Sequence, residues 1–318
     1  MNILLLAPTY MGLHLPIIQE LKRQGHDVVF VEDKMFEFDW KYPYRNFLDR
    51  AKRKWDCFIK KRFEEYWYSI FSTRSDLKRH FDELIVINGC SLHPCFLKKI
   101  RSLNRNVKAI LYLWDNSSFY NYYYYIKEFD KVMTYDINDS KKYGVRLLPF
   151  YWENNKNISF FSGGVPKYKL SMVGSNHSGR LQIARSVSEQ LENEGYSYYI
   201  KVVDKTQNED DIIIHDSISP EDVQKIMMDS ECVLDTDRAS QTGTTPRLIW
   251  ALALGKKVIT TNMNVKQMPL YDPERISFID RMNPILDEYF LKKKIKQKEL
   301  SPYLLSLRLD NWIKNFII

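Results

Sequence analysis

The chain has 318 residues, 44% of them hydrophobic and 27% charged, with four cysteines and a formal net charge of +7. At about 150 residues per domain this length holds two domains, and the balance excludes disordered, collagenous and disulfide-stapled classes. No stretch approaches the roughly 18 apolar residues of a membrane span, and Met1–Ala7 is too short for a secretory apolar region, so a cytosolic location is expected.

The apolar run at 3–8 has the length of a strand buried on both faces, and a loop from Thr9 to His14 leads into a helix through Leu21. Gly25 closes that helix before the strand at 27–32, which makes a βαβ opening. Tyr10-Met11-Gly12 does not supply the spaced glycines of a dinucleotide fingerprint. Further strands are predicted at Leu84–Asn88, Ala109–Trp114 and Lys131–Tyr135, with 144–149 closing the half. Strands alternating with helices imply a parallel, doubly wound sheet with right-handed crossovers.

The polar stretch from Glu153 to Lys167 carries Gly163, Gly164 and Pro166 and reads as a linker. A second α/β half starts at Lys169, with strands at Tyr198–Val203, Ile212–Ile214, Cys232–Leu234 and Lys257–Thr261. Ser219, Pro220, Glu221 and Asp222 have the residue types of a helix start, and the chain after Arg281 reads as amphipathic helix to its end. The expected division is therefore 1–152, a linker at 153–167, a second domain at 168–285, and terminal helices at 286–318 that pack back toward the first domain.

Residues 233–262 are the most informative part of the chain. They read as a buried strand, a polar loop, a helix beginning at Pro246, a closing Gly255 and a second strand. Gln241, Gly243, Thr244, Thr245 and Arg247 then surround a helix N-terminus at the carboxyl end of a parallel strand, where free N–H groups and the helix dipole favour anions. Gly174, Ser175, His177 and Arg180 form a similar turn, with His177 and Arg180 as candidate cations. Either turn alone is also what any strand-to-helix connection asks for; two of them in one sheet point to a diphosphate held from two sides.

Positive charge is concentrated. Between Arg45 and Arg62 there are eight basic residues (Arg45, Arg50, Lys52, Arg53, Lys54, Lys60, Lys61, Arg62) against Asp49 and Asp56. Phe47, Leu48, Ala51, Trp55, Phe58 and Ile59 recur among them at helical spacing, the pattern of a basic amphipathic helix at an anionic membrane surface or of a helix packed on a sheet with a solvated cationic face. No nucleic-acid reading motif accompanies the patch. Cys57, Cys90, Cys95 and Cys232 lack paired spacing and read as buried thiols, so no metal site is expected.

Several stretches, in order, resemble bacterial glycosyltransferases of the GT-B type, in particular the lipopolysaccharide-core and capsule group related to the spore-maturation CgeB-like family. They are APTYMGLH, LYLWDNS, TYDINDSKKYGVRLLPFYW, LSMVGSNHSGR, the 234–262 segment, YDPERISFIDR and YLLSLRLDNWI. A narrower similarity is to core rhamnosyltransferases. The resemblance implies two tandem Rossmann-like domains, an enzyme without cofactor or metal, a nucleotide-sugar donor bound by the second half, and a lipid-linked glycan acceptor bound by the first. The expected location becomes the inner face of the cytoplasmic membrane. Gly174, Ser175, His177, Arg180, Gln241, Gly243, Thr244, Thr245 and Arg247 are carried over as donor-binding, and Asp115, with His14 second, as the catalytic base of an inverting transfer.

One departure stands out. The family's ribose-binding Glu in the helix after the donor loop is Trp250 here, and an indole cannot accept hydroxyl hydrogen bonds. Asp235 or Asp237 must take that role, or the chain is a non-catalytic relative that binds a nucleotide-sugar or a partner. An epimerase of the same architecture is a further alternative.

Overall fold

The computed structural model describes residues 1–34, 46–55, 62–118, 123–153, 165–205, 210–296 and 299–318. They form two compact units, Met1–Pro149 with Asp310–Ile318, and Phe150–Leu309.

In the first unit the order is β1 (Asn2–Ala7), α1 (His14–Arg23), β2 (Asp27–Glu32), α2 (Phe47–Lys54), α3 (Arg62–Thr73), β3 (Glu83–Ile87), α4 (Pro94–Leu103), β4 (Lys108–Leu113), β5 (Lys131–Thr134), α5 (Ile137–Tyr143) and β6 (Arg146–Leu147). All pairings are parallel, in the order β2-β1-β3-β4-β5-β6. Because helices cover a parallel sheet on both faces, central strands read as unbroken apolar runs, and Ile3 to Ala7 are all fully buried. Leu4, Leu6, Val29, Trp67, Phe71 and Phe96 belong to one core cluster, and Trp67 donates its indole N–H to the Ser91 carbonyl at 2.9 Å.

The C-terminal residues complete this unit. Trp312 is fully buried, donates Nε1 to the Pro149 carbonyl at 2.9 Å and meets the Tyr112 ring edge-on at 5.2 Å, with Phe316 against both rings.

The second unit runs β7 (Tyr168–Ser175), α6 (Arg180–Asn193), β8 (Tyr198–Val203), β9 (Ile213–Ile214), α7 (Pro220–Met228), β10 (Ser230–Asp235), α8 (Pro246–Ala253), β11 (Lys257–Thr260), β12 (Ile276–Phe278), α9 (Glu288–Lys292), α10 (Pro302–Ser306) and α11 (Leu309–Trp312), the last passing into the first unit. Its parallel sheet has the order β12-β11-β10-β7-β8-β9. α7 begins as the sequence predicts, with Ser219 accepting from the Asp222 N–H at 3.1 Å.

Three features differ from the sequence reading. The short strand β12 lies in a stretch that carried no strand prediction, its register fixed by pairing with β11. The chain after Arg281 is less helical than expected, with short helical turns separated by non-helical chain, and two of them, α9 and α10, start at the caps Asp287 and Ser301. The boundary between units falls at 149/150, and residues 286–309 belong to the second unit. Trp152 explains this: its Nε1 donates to the Leu304 carbonyl at 2.7 Å, and its backbone pairs with Leu307 and Leu309 at 3.1 and 2.9 Å. Most of the expected linker (154–164) lies outside the described residues.

Candidate functional site

In the second unit the strand sequence leaves β7 in one direction toward β8 and β9, then returns to its other side with β10. The carboxyl ends of β7 and β10 therefore form a topological switch point, the place where an open α/β sheet opens a crevice. Gly174 ends β7 there. A Cβ at this position would lie 2.6 Å from Arg247 Nη2 and 2.7 Å from Arg180 Nη1, so only glycine lets both guanidiniums reach the strand end.

Arg180, at the start of α6, is buried and donates a hydrogen bond from each of its three guanidinium nitrogens. Nε donates to Thr236 Oγ1 at 2.6 Å, Nη2 to the Thr236 carbonyl at 2.5 Å, and Nη1 to the Ser175 carbonyl. Burial, reinforced by Arg247, brings it down to about 9. It thus fixes the ends of β7 and β10 relative to each other and contributes its charge to the site. Arg247, in the first turn of α8, donates Nε to the Val173 carbonyl and Nη1 to Asp235 Oδ1, both at 3.0 Å. Asp235 also accepts from Thr245 Oγ1 at 2.6 Å and from Thr260 Oγ1 at 3.0 Å, so both of its oxygens are committed to the protein.

The loop before α8 is held from below. Thr245 is the N-cap, accepting from the Leu248 N–H at 3.2 Å, with Pro246 in the first turn, and Gly255 takes the left-handed conformation after the helix. Asn262 donates Nδ2 to the Gly243 carbonyl at 2.9 Å, while the exposed Met263 follows it. Gln241 sits on this loop with its backbone N–H bonded to the Arg238 carbonyl at 2.9 Å. Thr244 Oγ1 is buried without a hydrogen-bond partner among the described residues.

Arg281, to which the sequence reading gave no role, joins the site from the loop after β12. Nη1 donates to the Ser178 carbonyl at 3.0 Å, and Nη2 to Thr261 Oγ1 and the Asp237 carbonyl at 3.1 Å each and to the Asp237 carboxylate. Its partners lie 103, 44 and 20 residues away, and the only local signal was a basic residue following an apolar stretch in YDPERISFIDR. Arg238, Arg247, Arg180 and Arg281 all act on His177, whereas the carboxylates woven into these contacts are Asp235 and Asp237; burial raises the Asp237 carboxyl above its ordinary value. Positive charge is left in excess at a helix N-terminus, which suits an anion.

The surroundings of His177 oppose the positive charge that its sequence position suggested. Burial first, then the four arginines, push its imidazole down to about 3, and Nδ1 is buried without a partner among the described residues. Ser175, at the end of β7, is exposed.

At the carboxyl ends of the first sheet, Asp115 follows β4, and Asn88 Nδ2 donates to its Oδ2 at 2.7 Å. Asn88 itself is left-handed, with φ +59°, and accepts from the Trp114 N–H at 3.0 Å. His14 is the first residue of α1. It stacks on Phe30 with centroids 4.8 Å apart, burial lowers its pKa against an opposing effect of Glu32, and its Nδ1 is buried without a partner among the described residues. Glu32 accepts from Thr9 Oγ1 at 2.8 Å. Asp33 is consumed structurally, accepting from the Cys90 N–H and from the Ser91 N–H and hydroxyl at 2.5–2.6 Å.

Other sequence candidates resolve into structure. Trp250 lies in the core of α8 and donates Nε1 to the Tyr151 carbonyl at 3.0 Å. Lys257 is buried and caps α9, bonding the carbonyls of Phe290, Leu291 and Lys293 at 2.8–2.9 Å. His93 caps α4, and His80 and His215 bond Asp82 and the Asp204 carbonyl. In the basic segment, Phe47, Leu48 and Trp55 are 80%, 76% and 56% exposed, on or beside the same short helix as Arg50 and Lys52. Arg53, Lys54 and Arg62 lie on helices α2 and α3; Lys60 and Lys61, with Phe58 and Ile59, lie outside the described residues, as do Tyr120 to Tyr122. Among the described residues, no group of three or more His, Cys, Asp or Glu is arranged to hold a metal ion, and no helix is long and apolar enough to cross a membrane.

No protein-family model and no curated protein sequence matches the chain. Solved structures do. An alpha-glucosyltransferase in complex with UDP and a 13-mer DNA is similar at a TM-score of 0.53 and 13% identity, with 100% of this chain and 95% of that one covered. Arabidopsis thaliana UGT89C1 is similar at a TM-score of 0.51 and 11% identity, with 100% and 99% covered. The two tandem parallel-sheet units are the GT-B architecture, shared with these structures over the whole chain.

Proposed function

We propose that the protein is a GT-B glycosyltransferase that moves a sugar from a nucleotide-sugar donor to a surface-glycan acceptor. The observation that carries this is the convergence of Arg180 and Arg247 on Gly174 at the β7/β10 switch point, beside the N-terminus of α8. Heterolysis of a sugar–diphosphate bond builds negative charge on the leaving diphosphate, and fixed guanidiniums, aimed N–H groups and a helix dipole stabilise it without reorganising during the reaction. Those same groups would supply the charge that a divalent ion supplies in other transferases, so transfer is assigned as metal-independent. The similar alpha-glucosyltransferase holds UDP, and a uridine diphosphate sugar is the first donor class to test.

Within that site Arg247, Thr244 and the N–H groups of the Gly243–Thr245 loop are assigned to the diphosphate. Arg180 acts one step back, through the strand ends it ties. Asp235 is occupied on both oxygens by Thr245, Thr260 and Arg247, whereas the contacts of Asp237 with Thr261 and Arg281 fall on Oδ1, so Asp237 Oδ2 is assigned to the ribose hydroxyls. On the acceptor side the base is Asp115, oriented by Asn88, with His14 as the second candidate; burial favours the neutral form of His14, which is the form a base must start from, although the same shift weakens it as a base.

The exposed Phe47, Leu48 and Trp55 beside Arg50 and Lys52 favour an anionic membrane surface as the place of work, with a lipid-linked lipopolysaccharide-core or capsule glycan as acceptor and a hexosyl or deoxyhexosyl group as cargo. The non-catalytic reading drew its support from Trp250. That residue has a sufficient structural reason to be there, since it pins Tyr151.

Thermal-shift and calorimetric titration of the purified protein with nucleotides and nucleotide-sugars, with and without EDTA, tests the proposal. Stabilisation by a nucleoside diphosphate that survives EDTA and is lost in Arg247→Ala is expected. Binding that requires a divalent cation, or that is indifferent to Arg247, would remove the assignment.

A further inference from the structure

Two buried polar atoms without partners among the described residues, His177 Nδ1 and Thr244 Oγ1, belong to the two loops that frame the anion site. Leaving a buried polar group unsatisfied is costly, and each is accounted for if a ligand completes it. Thr244 is a neutral hydroxyl and needs only an acceptor. His177 differs, because its protonation state depends on what occupies the site.

The turn that carries His177 is anchored on both sides. The Asn176 N–H donates to the Val203 carbonyl at 2.8 Å and Asn176 Nδ2 to Asp204 at 2.6 Å. The Arg180 N–H donates to the His177 carbonyl at 3.0 Å, and Arg281 holds the Ser178 carbonyl. Ser178 and Gly179 are both left-handed, at φ +53° and +75°, and for the serine this is strained backbone of the kind retained at binding sites. The imidazole is therefore presented by a rigid turn.

Four cations act on it, from four different elements: Arg180 at the start of α6, Arg238 after β10, Arg247 in α8 and Arg281 after β12. The carboxylates of the same cluster, Asp235 and Asp237, are already engaged by Arg247 and Arg281. A proton on His177 is opposed by four positive charges while the site is empty. A diphosphate placed among them offsets that positive charge and removes most of the opposition to a proton on the imidazole.

We propose that His177 is a proton-coupled ligand of the diphosphate. The imidazole is neutral in the empty site, takes one proton from solvent as the diphosphate enters, and donates an N–H hydrogen bond to a phosphate oxygen. The departing diphosphate is then met by one more positive charge than the empty site holds, and the proton returns to solvent when the diphosphate leaves. No bond to carbon or phosphorus changes in this step. The inference rests on the diphosphate assignment above and gives it a regulatory consequence: donor affinity rises as pH falls.

The test uses two probes whose own charge is constant between about pH 5 and pH 8, inorganic sulfate and UDP-glucose. Affinity is measured by calorimetry in buffers of different ionisation heat, which counts protons taken up per ligand bound. For the wild type, uptake of up to one proton is expected, with affinity strengthening by up to about tenfold for each pH unit below the bound-state pKa. His177→Gln is expected to bind with no uptake and a flat pH profile. His177→Asn serves as second variant if the glutamine disturbs the turn, and the proton count on the wild type needs no variant at all. Ligand binding without proton uptake, or the same pH profile in wild type and variants, would overturn the coupling while leaving the diphosphate site standing. A wild type that binds neither probe overturns both.

Discussion

Arg247 and Asp235 stand twelve residues apart in sequence and form a 3.0 Å ion pair at the carboxyl edge of the second sheet, with Asp235 almost completely shielded from solvent. The pair does two things. It fixes the guanidinium at the strand end through a partner that cannot move, and it consumes Asp235, which would otherwise repel a phosphate.

Breaking that pair from either side should be costly, because the surviving charge stays buried. Asp235→Ala also orphans Thr245 and Thr260, and a loss of about 3–5 kcal/mol is expected in chemical denaturation. Asp235→Asn keeps an acceptor oxygen and should recover part of that loss.

Gly174→Ala tests the close approach of the two arginines. A methyl group 2.6–2.7 Å from both guanidiniums forces one of them away. We expect about 1–3 kcal/mol of destabilisation and at least about a tenfold loss of nucleotide affinity by calorimetry. Unchanged affinity would show that the strand end does not carry the anion.

The pH dependence of stability follows from His177. Its folded-state pKa, about 3, lies below the ordinary value of 6.5, so the unfolded chain binds the extra proton over that window. Stability contributed by the neutral imidazole is complete above about pH 6.5 and falls as pH drops toward 3. Melting temperatures measured from neutral pH downward should decline more steeply in the wild type than in His177→Gln, and bound diphosphate should flatten the wild-type curve.

Trp250 separates structure from ribose binding. Trp250→Phe removes the indole bond to the Tyr151 carbonyl, and about 1–3 kcal/mol of stability should be lost with nucleotide affinity preserved. Trp250→Glu places a carboxylate in the apolar interior of α8, and the expected result is a larger loss of stability without tighter nucleotide binding.

For the basic helix, replacing Phe47, Leu48 and Trp55 with serine should reduce co-flotation with vesicles containing anionic lipid and leave the melting temperature nearly unchanged, because these side chains are mostly exposed. An altered melting temperature with unaltered flotation would instead make them packing residues.

The sequence by itself determined what depends on neighbours along the chain. Buried parallel strands appear as apolar runs, so β1, β3, β4 and β11 could be read directly, and Thr245, Pro246 and Gly255 marked the start and end of α8 because capping chemistry is local. Tertiary structure decided everything that depends on partners distant in sequence. β12 exists because β11 offers it an edge; three residues of weak pattern do not announce a strand alone. The division between units was set by Trp152, whose indole partner lies 152 residues on. Arg281 reached the site only because β12 delivers it to Ser178 and Asp237. The charge of His177 was likewise out of reach: a histidine beside one arginine in sequence looks like a cation, and only folding brings the other three guanidiniums to it. Local propensity fixes which elements form, whereas burial and through-space charge, which decide how a side chain acts, arise when the strand ends meet.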